Sequence, residues 1–239
     1  MRTDNVGRAD GRFCWADLKT KDPGRTAGFL AAVLGWGTRT DDVLGRARTF
    51  LTSGGYDVGG LGDLSAPVYP PGIPEHTAHY LAVADLRSAV ANAVRSGAQV
   101  VVPAFELGTY GGGIATLVDP WGCAVSLWCR TGRHGWTHPP GTQDLPARLY
   151  HRGPDPAAAQ VFYRDAFGFD DPGAVFSTLR TEGEDTGWEL TIGVRASAEV
   201  AARACAHGSG RWVPGADAHT GTLVAPDGLR LRVETVHTT

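Results

Sequence analysis

Asp17 is the residue in this chain best placed to do chemistry. Between Phe13 and Lys19 the residues alternate, so Cys14, Ala16 and Leu18 share one face of a strand while Trp15, Asp17 and Lys19 share the other. A carboxylate set among aromatic rings loses hydration, is pushed toward protonation, and serves as a general acid or base near neutral pH. The same alternation puts Ala124, Ser126 and Trp128 on one face of a later strand, with Val125 and Leu127 opposite, and groups Ala78, Tyr80 and Ala82 on one face of a third. Tyr80 and Ser126 are donors for a developing enolate or phenolate oxygen. Tyr56 precedes Val58-Gly59-Gly60, and Phe105 and Tyr110 lie on a stretch running into Gly111-Gly112-Gly113 that is able to close as a lid. The expected pocket therefore carries Asp17, Tyr80 and Ser126 as catalytic groups inside a lining of Trp15, Tyr56, Ala78, Trp128, Phe105 and Tyr110. Such a lining suits a flat, hydrophobic small molecule, aromatic or polycyclic, and suits a phosphorylated metabolite poorly. Two plainer readings stay open: the rings fill a core, and Asp17 pairs with Lys19.

The elements that must hold these residues come from a duplicated unit. Asp22-Pro23, Phe29 and Leu34-Gly35-Trp36 recur as Asp155-Pro156, Phe162 and Phe167-Gly168-Phe169 at an offset of 133 residues. Gly97 with Val102-Pro103 matches Gly208 with Val213-Pro214 at an offset of 111, and Leu117-Val118-x-Pro120-x-Gly122 matches Leu223-Val224-x-Pro226-x-Gly228 at 106. The shrinking offset makes the first copy the more complete one. Its first strand, Phe13 to Lys19, leads to an acid-capped helix over Thr26 to Leu34 that starts beside Pro23 and stops at Gly35. Within that copy a second round follows: a strand from His79 to Ala84, a helix capped by Asp85 running through Val94, and strands at 100–102, 113–118 and 124–129. In the later copy a strand over Ala147 to Arg152 precedes a helix from Pro156 to Phe167. A helix on one face of a mostly antiparallel sheet leaves the other face free to curve around a ligand.

Composition narrows the function classes. The chain has 239 residues, 42% hydrophobic and 20% charged, with a net charge of −3, the balance of a globular protein of about two domains. Basic residues do not cluster, so no nucleic-acid partner is expected. No apolar run suits a bilayer and the first ten residues are polar, so no membrane partner and a cytoplasmic location are expected. Cys14, Cys123, Cys129 and Cys205 form no CxxC pair and read as reduced, partly buried thiols. The glycine run does not open a helix as a phosphate-binding loop does, and no Gly-x-Ser-x-Gly elbow is present. No cofactor is expected.

Taken together, Phe13-Cys-Trp-Ala-Asp-Leu with Asp22-Pro23, Phe29 and Leu34-Gly35-Trp36, then Tyr80-Leu-Ala-Val-Ala-Asp85-Leu, then Leu117-Val118-Asp119-Pro120-Trp-Gly122, resemble the vicinal oxygen chelate superfamily of glyoxalases, bleomycin resistance proteins and extradiol dioxygenases, in its tandem two-domain branch. The resemblance implies an α+β fold of tandem domains built from paired βαβββ modules forming cupped mixed sheets. It places a tail at 1–11, a first domain at 12–132, a linker at 133–146 and a shortened second domain at 147–239.

Members of that superfamily often hold a metal at the cup, and here this chain departs from the pattern. The family's ligand positions, counted from the capping acids and the DPxG turn, fall on Trp15, Ala78 and Ser126 in the first copy and on Arg148, Glu189 and Arg232 in the second. Neither set suits a divalent cation, so no metal is expected. An unorthodox site around Glu75, His76 and His79, or at His134 and His138, is the competing idea. Four readings result: metal-independent acid–base chemistry (isomerisation, cyclisation, elimination or hydroxylation) on a hydrophobic aromatic molecule of secondary metabolism; sequestration of a drug-like molecule without catalysis; a structural or regulatory remnant with no pocket; and a metal-dependent dioxygenase or glyoxalase with an atypical site. The partner expected in every case but the remnant is a hydrophobic small-molecule ligand, and a homodimer stays open beside a monomer.

Overall fold

The computed structural model describes residues 10–42, 47–108, 112–130, 135–179 and 186–236. The repeat seen in the sequence is a repeat of local structure. Helix α1 (Pro23–Leu34) and helix α3 (Pro156–Phe167) each open on an aspartate whose carboxylate accepts the backbone N–H three residues on, Arg25 from Asp22 and Ala158 from Asp155, at 3.0 Å in both cases. Each has proline in its first turn and ends on a left-handed glycine, Gly35 or Gly168. Helix α2 (Leu86–Arg95) is capped likewise by Asp85, which accepts from Ser88 N–H at 3.0 Å. Helix α4 (Ser197–His207) has Ala196 at its N-cap and no side-chain cap.

The strands form two mixed sheets, one of eight strands and one of six. The first copy supplies β1 (Phe13–Thr20), β2 (Gly37–Asp42), β3 (Ala47–Ser53), β4 (Tyr56–Asp63), β5 (His76–Ala82), β6 (Gln99–Glu106), β7 (Gly112–Val118) and β8 (Ala124–Arg130). The second supplies β9 (Leu145–Arg152), β10 (Ala174–Ser177), β11 (Gly187–Val194), β12 (Arg211–Pro214), β13 (Thr220–Val224) and β14 (Arg230–Thr235). Antiparallel pairs predominate among the described strands, as the turn residues suggest, and parallel pairs are set among them. Hairpins do link β2 to β3, β3 to β4, β6 to β7 and β7 to β8, but in each module the first strand pairs parallel to the last: β1 with β4, β5 with β8, and β11 with β14. A helical crossover after the first strand reverses the chain before the hairpins begin, and strand periodicity carries no sign of direction.

Two compact units emerge, and each takes one module from either copy of the repeat. The first contains a segment ending at Trp15 together with Ala78–Thr137 and Leu149–Glu189. There β5, β8, β7 and β6 lie in that order and β9 pairs parallel with β10. Helix α2 packs on α3, and the Asn92 amide donates to the Ala166 carbonyl at 3.4 Å. Leu81, Leu117, Leu127 and Tyr163 form its fully buried core.

The second unit contains Ala16–Thr77, His138–Arg148 and a segment starting at Leu190. Its strands run β2, β3, β4, β1 in one set and β11, β14, β13, β12 in the other. Helix α1 packs on α4, and Arg203 Nε donates to the Val33 carbonyl at 2.7 Å. Leu18, Phe29, Leu30 and Leu51 are fully buried there. No helix among the described residues is long and apolar enough to cross a membrane.

Candidate functional site

In the second unit, β1 carries an ion pair on the face that alternation assigned to Trp15, Asp17 and Lys19. Lys19 Nζ lies 2.9 Å from Asp17 Oδ2, and the two side chains are 11% and 12% exposed. The adjacent strand is carved to receive them. Asp17 and Lys19 stand opposite Gly60 and Gly62 in the parallel β1–β4 register; a Cβ on Gly60 would meet Asp17 Oδ1 at 2.2 Å, and one on Gly62 would meet Lys19 Cδ at 2.8 Å. Any side chain at either position would displace the pair. Lys19 also donates to the Tyr69 hydroxyl at 3.1 Å. The expectation of a carboxylate surrounded only by rings is thereby corrected, since its immediate neighbour is an ammonium group. The end of β1 is anchored by Asp227, whose carboxylate accepts from both the Thr20 and Thr26 hydroxyls.

In the first unit, Tyr80 sits opposite Ser126, and Ala82 opposite Trp128, in the parallel β5–β8 register. The Tyr80 and Trp128 rings meet edge to face at 6.0 Å between centroids. Ser126 is buried, and its hydroxyl is 2.9 Å from that of Thr116 on β7. Trp15 and Trp128 are both buried, whereas Ala78 and Tyr80 are half-buried. Phe105 departs from its expected place: it lies in β6, exposed, and pairs with Ile114, so both ends of the loop expected from Phe105 to Gly113 are strand. Antiparallel pairing continues further toward the turn than the glycines suggested. Tyr110 lies outside the described residues. Tyr56, in the second unit, is half-buried and turns its ring edge to His138 at 6.3 Å.

The positions where the superfamily places metal ligands do not fit a cation. Trp15 and Ala78 carry no ligating atom, and the Ser126 hydroxyl is engaged with Thr116. In the second copy Arg148 pairs with Glu234 at 3.3 Å and Glu189 with Arg152 at 3.2 Å, so the carboxylates there already face guanidinium groups. The unorthodox alternative is dispersed too. Glu75 pairs with Lys21 at 3.2 Å, His76 Nδ1 lies 2.8 Å from the Pro74 carbonyl, His79 is buried edge-on to Phe13, and His138 Nε2 lies 2.9 Å from the Pro146 carbonyl. His134 lies outside the described residues.

A different polar cluster, not foreseen in the sequence, occupies the core of the first unit. Asp119, Cys123 and His151 bring ligand-type atoms within 4.8 Å of one another, all buried. Asp119 is the acid of the turn after β7. Its Oδ1 accepts from the Trp121 and Cys123 backbone N–H groups, both at 2.9 Å, and its Oδ2 accepts from His151 Nε2 at 2.9 Å and from the Tyr163 hydroxyl at 3.1 Å. Trp188 Nε1 donates to Tyr163 Oη at 2.7 Å. The carboxylate thus holds four donors, which is its full capacity. Burial, followed by the Asp119 charge, pushes both the Cys123 thiol and the Tyr163 phenol up, away from their ionised forms. Trp121, Tyr163, Phe176 and Trp188 rings surround His151. The Asp119 oxygens are saturated with donors, which compete with any cation there, while His151 Nδ1 is buried without a hydrogen-bond partner among the described residues. The signal for it was present in part, because His151 falls on the inward face of β9 and Asp119 in a turn motif; their meeting across 32 residues depends on tertiary packing.

No family model matches the chain. Over 122 residues it is 34% identical to CFP32, a protein named as a candidate glyoxylase, of Mycobacterium bovis and of Mycobacterium tuberculosis; the match covers 50% of this chain and 46% of CFP32. The chain spans about half the length of these curated relatives. Among solved structures it resembles the Mn(II)-bound glyoxalase from Novosphingobium aromaticivorans, with 15% identity, TM-score 0.62, and coverage of 95% of this chain and 82% of that one. It also resembles homoprotocatechuate 2,3-dioxygenase from Brevibacterium fuscum in complex with 3,4-dihydroxyphenylacetate, with 14% identity, TM-score 0.64, and coverage of 100% and 84%.

Proposed function

The chain has the tandem vicinal oxygen chelate fold, and from that premise we propose a metal-independent enzyme that performs acid–base chemistry on a hydrophobic, aromatic or polycyclic small molecule, with Asp17 and Lys19 as its reacting pair. The observation that carries this reading is the buried Asp17–Lys19 contact of 2.9 Å, seated against two glycines of the neighbouring strand. Burying two charges is costly unless each finds its partner. Here they lie side by side on one strand, an acceptor and a donor of protons.

Asp17 takes a proton from carbon or oxygen of the substrate, and the Lys19 ammonium, steadied by the Tyr69 hydroxyl, donates a hydrogen bond to the oxygen on which charge develops. That division of labour suits an isomerisation, a cyclisation or an elimination. Tyr80, Ser126, Trp15 and Trp128 belong to the first unit and take no part in this step. No step is routed through a metal, because the residues at the superfamily's ligand positions do not fit one. The names of the structural relatives, a glyoxalase and a ring-cleaving dioxygenase, agree with small oxygenated or aromatic substrates as the class to screen.

The test is a screen of hydroxylated polycyclic aromatics by quenching of tryptophan fluorescence, followed by turnover assays on each binder. Asp17→Asn is expected to lower turnover by roughly 100- to 10,000-fold, the range for loss of a positioned base, with binding retained within a few-fold. A protein that only sequesters its ligand gives no turnover in wild type and no loss in the variant.

A further inference from the structure

Apart from the Asp17–Lys19 pair, the second unit contains a cavity of about 330 Å³ that the proposed chemistry does not use. Its wall combines the end of α1 (Ala32, Leu34), the turn before β9 (Gln143, Asp144), the end of β11 (Val194), Arg195 just before α4, and Glu199 and Arg203 on α4. That volume is at the small end of the range of ligand pockets, about 300 to 1,000 Å³.

Asp144 is the unusual member of this wall. It is the one non-glycine residue with positive φ among the described residues, at 59°. Its backbone is pinned in that left-handed state from both sides: its N–H donates to the Gly193 carbonyl at 2.6 Å, and its carbonyl accepts from the buried Trp36 indole at 2.8 Å. The backbone is therefore held at a cost, and what it holds is a half-buried carboxylate. That carboxylate makes no hydrogen bond or ion pair among the described residues. Burial raises it from its ordinary range, against a weaker opposing pull from Arg203 and Arg195. Strain that presents an unpartnered charge to a cavity points toward a ligand.

The opposite charge is nearby and has donors to spare. Glu199 is shared by two guanidinium groups, Arg195 at 3.3 Å and Arg203 at 3.7 Å, so one carboxylate meets two arginines, each with five N–H donors. Helix α4 starts here without a side-chain cap, and its dipole favours an added anion. Ala32, Leu34 and Val194 add apolar atoms to the same lining.

We infer that this cavity binds a small zwitterion, an aliphatic α-amino acid. Its ammonium group sits on Asp144, its carboxylate on Arg195 and Arg203, and its side chain on Ala32, Leu34 and Val194. Asn tolerates the left-handed backbone as well as Asp does, so Asp144→Asn removes the charge and keeps the fold; a melting curve checks that it does. Calorimetric titration of the 239-residue chain with L-leucine is expected to show one saturable site. The affinity should fall at least tenfold in both Asp144→Asn and Arg195→Met, and should be absent for isopentylamine and for isovalerate, each of which retains only one of the two charges. No heat with L-leucine, L-valine or L-isoleucine at millimolar concentration overturns the inference, as does binding of L-leucine that is unchanged in Asp144→Asn. Equal binding of isovalerate and L-leucine also overturns it, because the cavity would then read an anion alone.

Discussion

Lys19 and Asp17, two residues apart on β1, meet at 2.9 Å with both side chains nearly nine-tenths buried, and the strand beside them has glycine where either would collide with a Cβ. A buried pair of this kind is a poor investment for stability alone, because a well-packed apolar pair commonly does as well or better. Removing one partner is a different matter. Asp17→Asn leaves the Lys19 charge buried and unpaired, and is expected to lower unfolding free energy by about 3 kcal/mol. The double change Asp17→Asn with Lys19→Met should recover at least half of that loss in chemical denaturation. Equal stability of the single and double variants would show that the two groups are not coupled.

Gly60→Ala tests the same relationship from the neighbouring strand. Its Cβ would lie 2.2 Å from Asp17 Oδ1, so the carboxylate must turn away or β4 must shift. A loss of about 1 to 3 kcal/mol is expected from the overpacking. If Asp17 and Lys19 do the chemistry, turnover should fall with it. An alanine tolerated without change in melting temperature or activity would mean that the strand spacing is looser than described.

The Asp119 network should behave as structure. Asp119→Asn replaces an acceptor of four hydrogen bonds with a group that itself carries donors, leaving His151 or Tyr163 without a partner in a dry core. A loss of about 3 kcal/mol is expected, with no change in metal content. Titrated Zn²⁺ should leave the melting temperature of the wild-type chain unmoved; a saturable rise that disappears in Cys123→Ala would instead make the cluster a cation site.

Stability near Asp144 depends on pH with a definite sign. Its carboxyl is raised in the folded chain, mainly by burial, with Arg203, Arg195 and Glu199 as the charged groups around it. A raised group contributes stability below its unfolded value and loses that contribution as pH rises through the folded value. At neutral pH the ionised Asp144 therefore costs stability, and Asp144→Asn should melt higher than wild type. That gain should shrink as pH falls below the ordinary aspartate value of about 4. A gain independent of pH would assign the effect to backbone preference alone.

Much of this was legible in the sequence, for reasons that can be named. Asp22-Pro23 and Asp155-Pro156 set two helices because cap, first-turn proline and closing glycine all act within one turn of the chain, and α3 spans Pro156–Phe167 as its spacing indicates. The strands β5 and β8 were also legible as strands, since side-chain alternation is local. Strand direction did not: β1 joins β4 and β5 joins β8 in parallel, across a helix and two hairpins, and no short window of residues encodes that. The strands β2 and β3, with their exposed threonines, aspartates and arginines, give almost no apolar alternation to read. Asp17 stood out by residue type, and its pairing with Lys19 was open as the plainer reading. The hydrogen bond from His151 to Asp119 and the left-handed Asp144 were out of reach, because each is fixed by segments distant in the chain.

The proposed chemistry needs no metal at the sheet. The direct measurement is elemental analysis of the purified chain before and after incubation with Zn²⁺, Mn²⁺, Ni²⁺ and Fe²⁺ followed by desalting. Metal far below stoichiometric amounts is expected in every sample, with ligand binding unchanged by chelator. About one tightly held ion per chain, as an intact chelating site retains, together with activity that follows the ion, would contradict it.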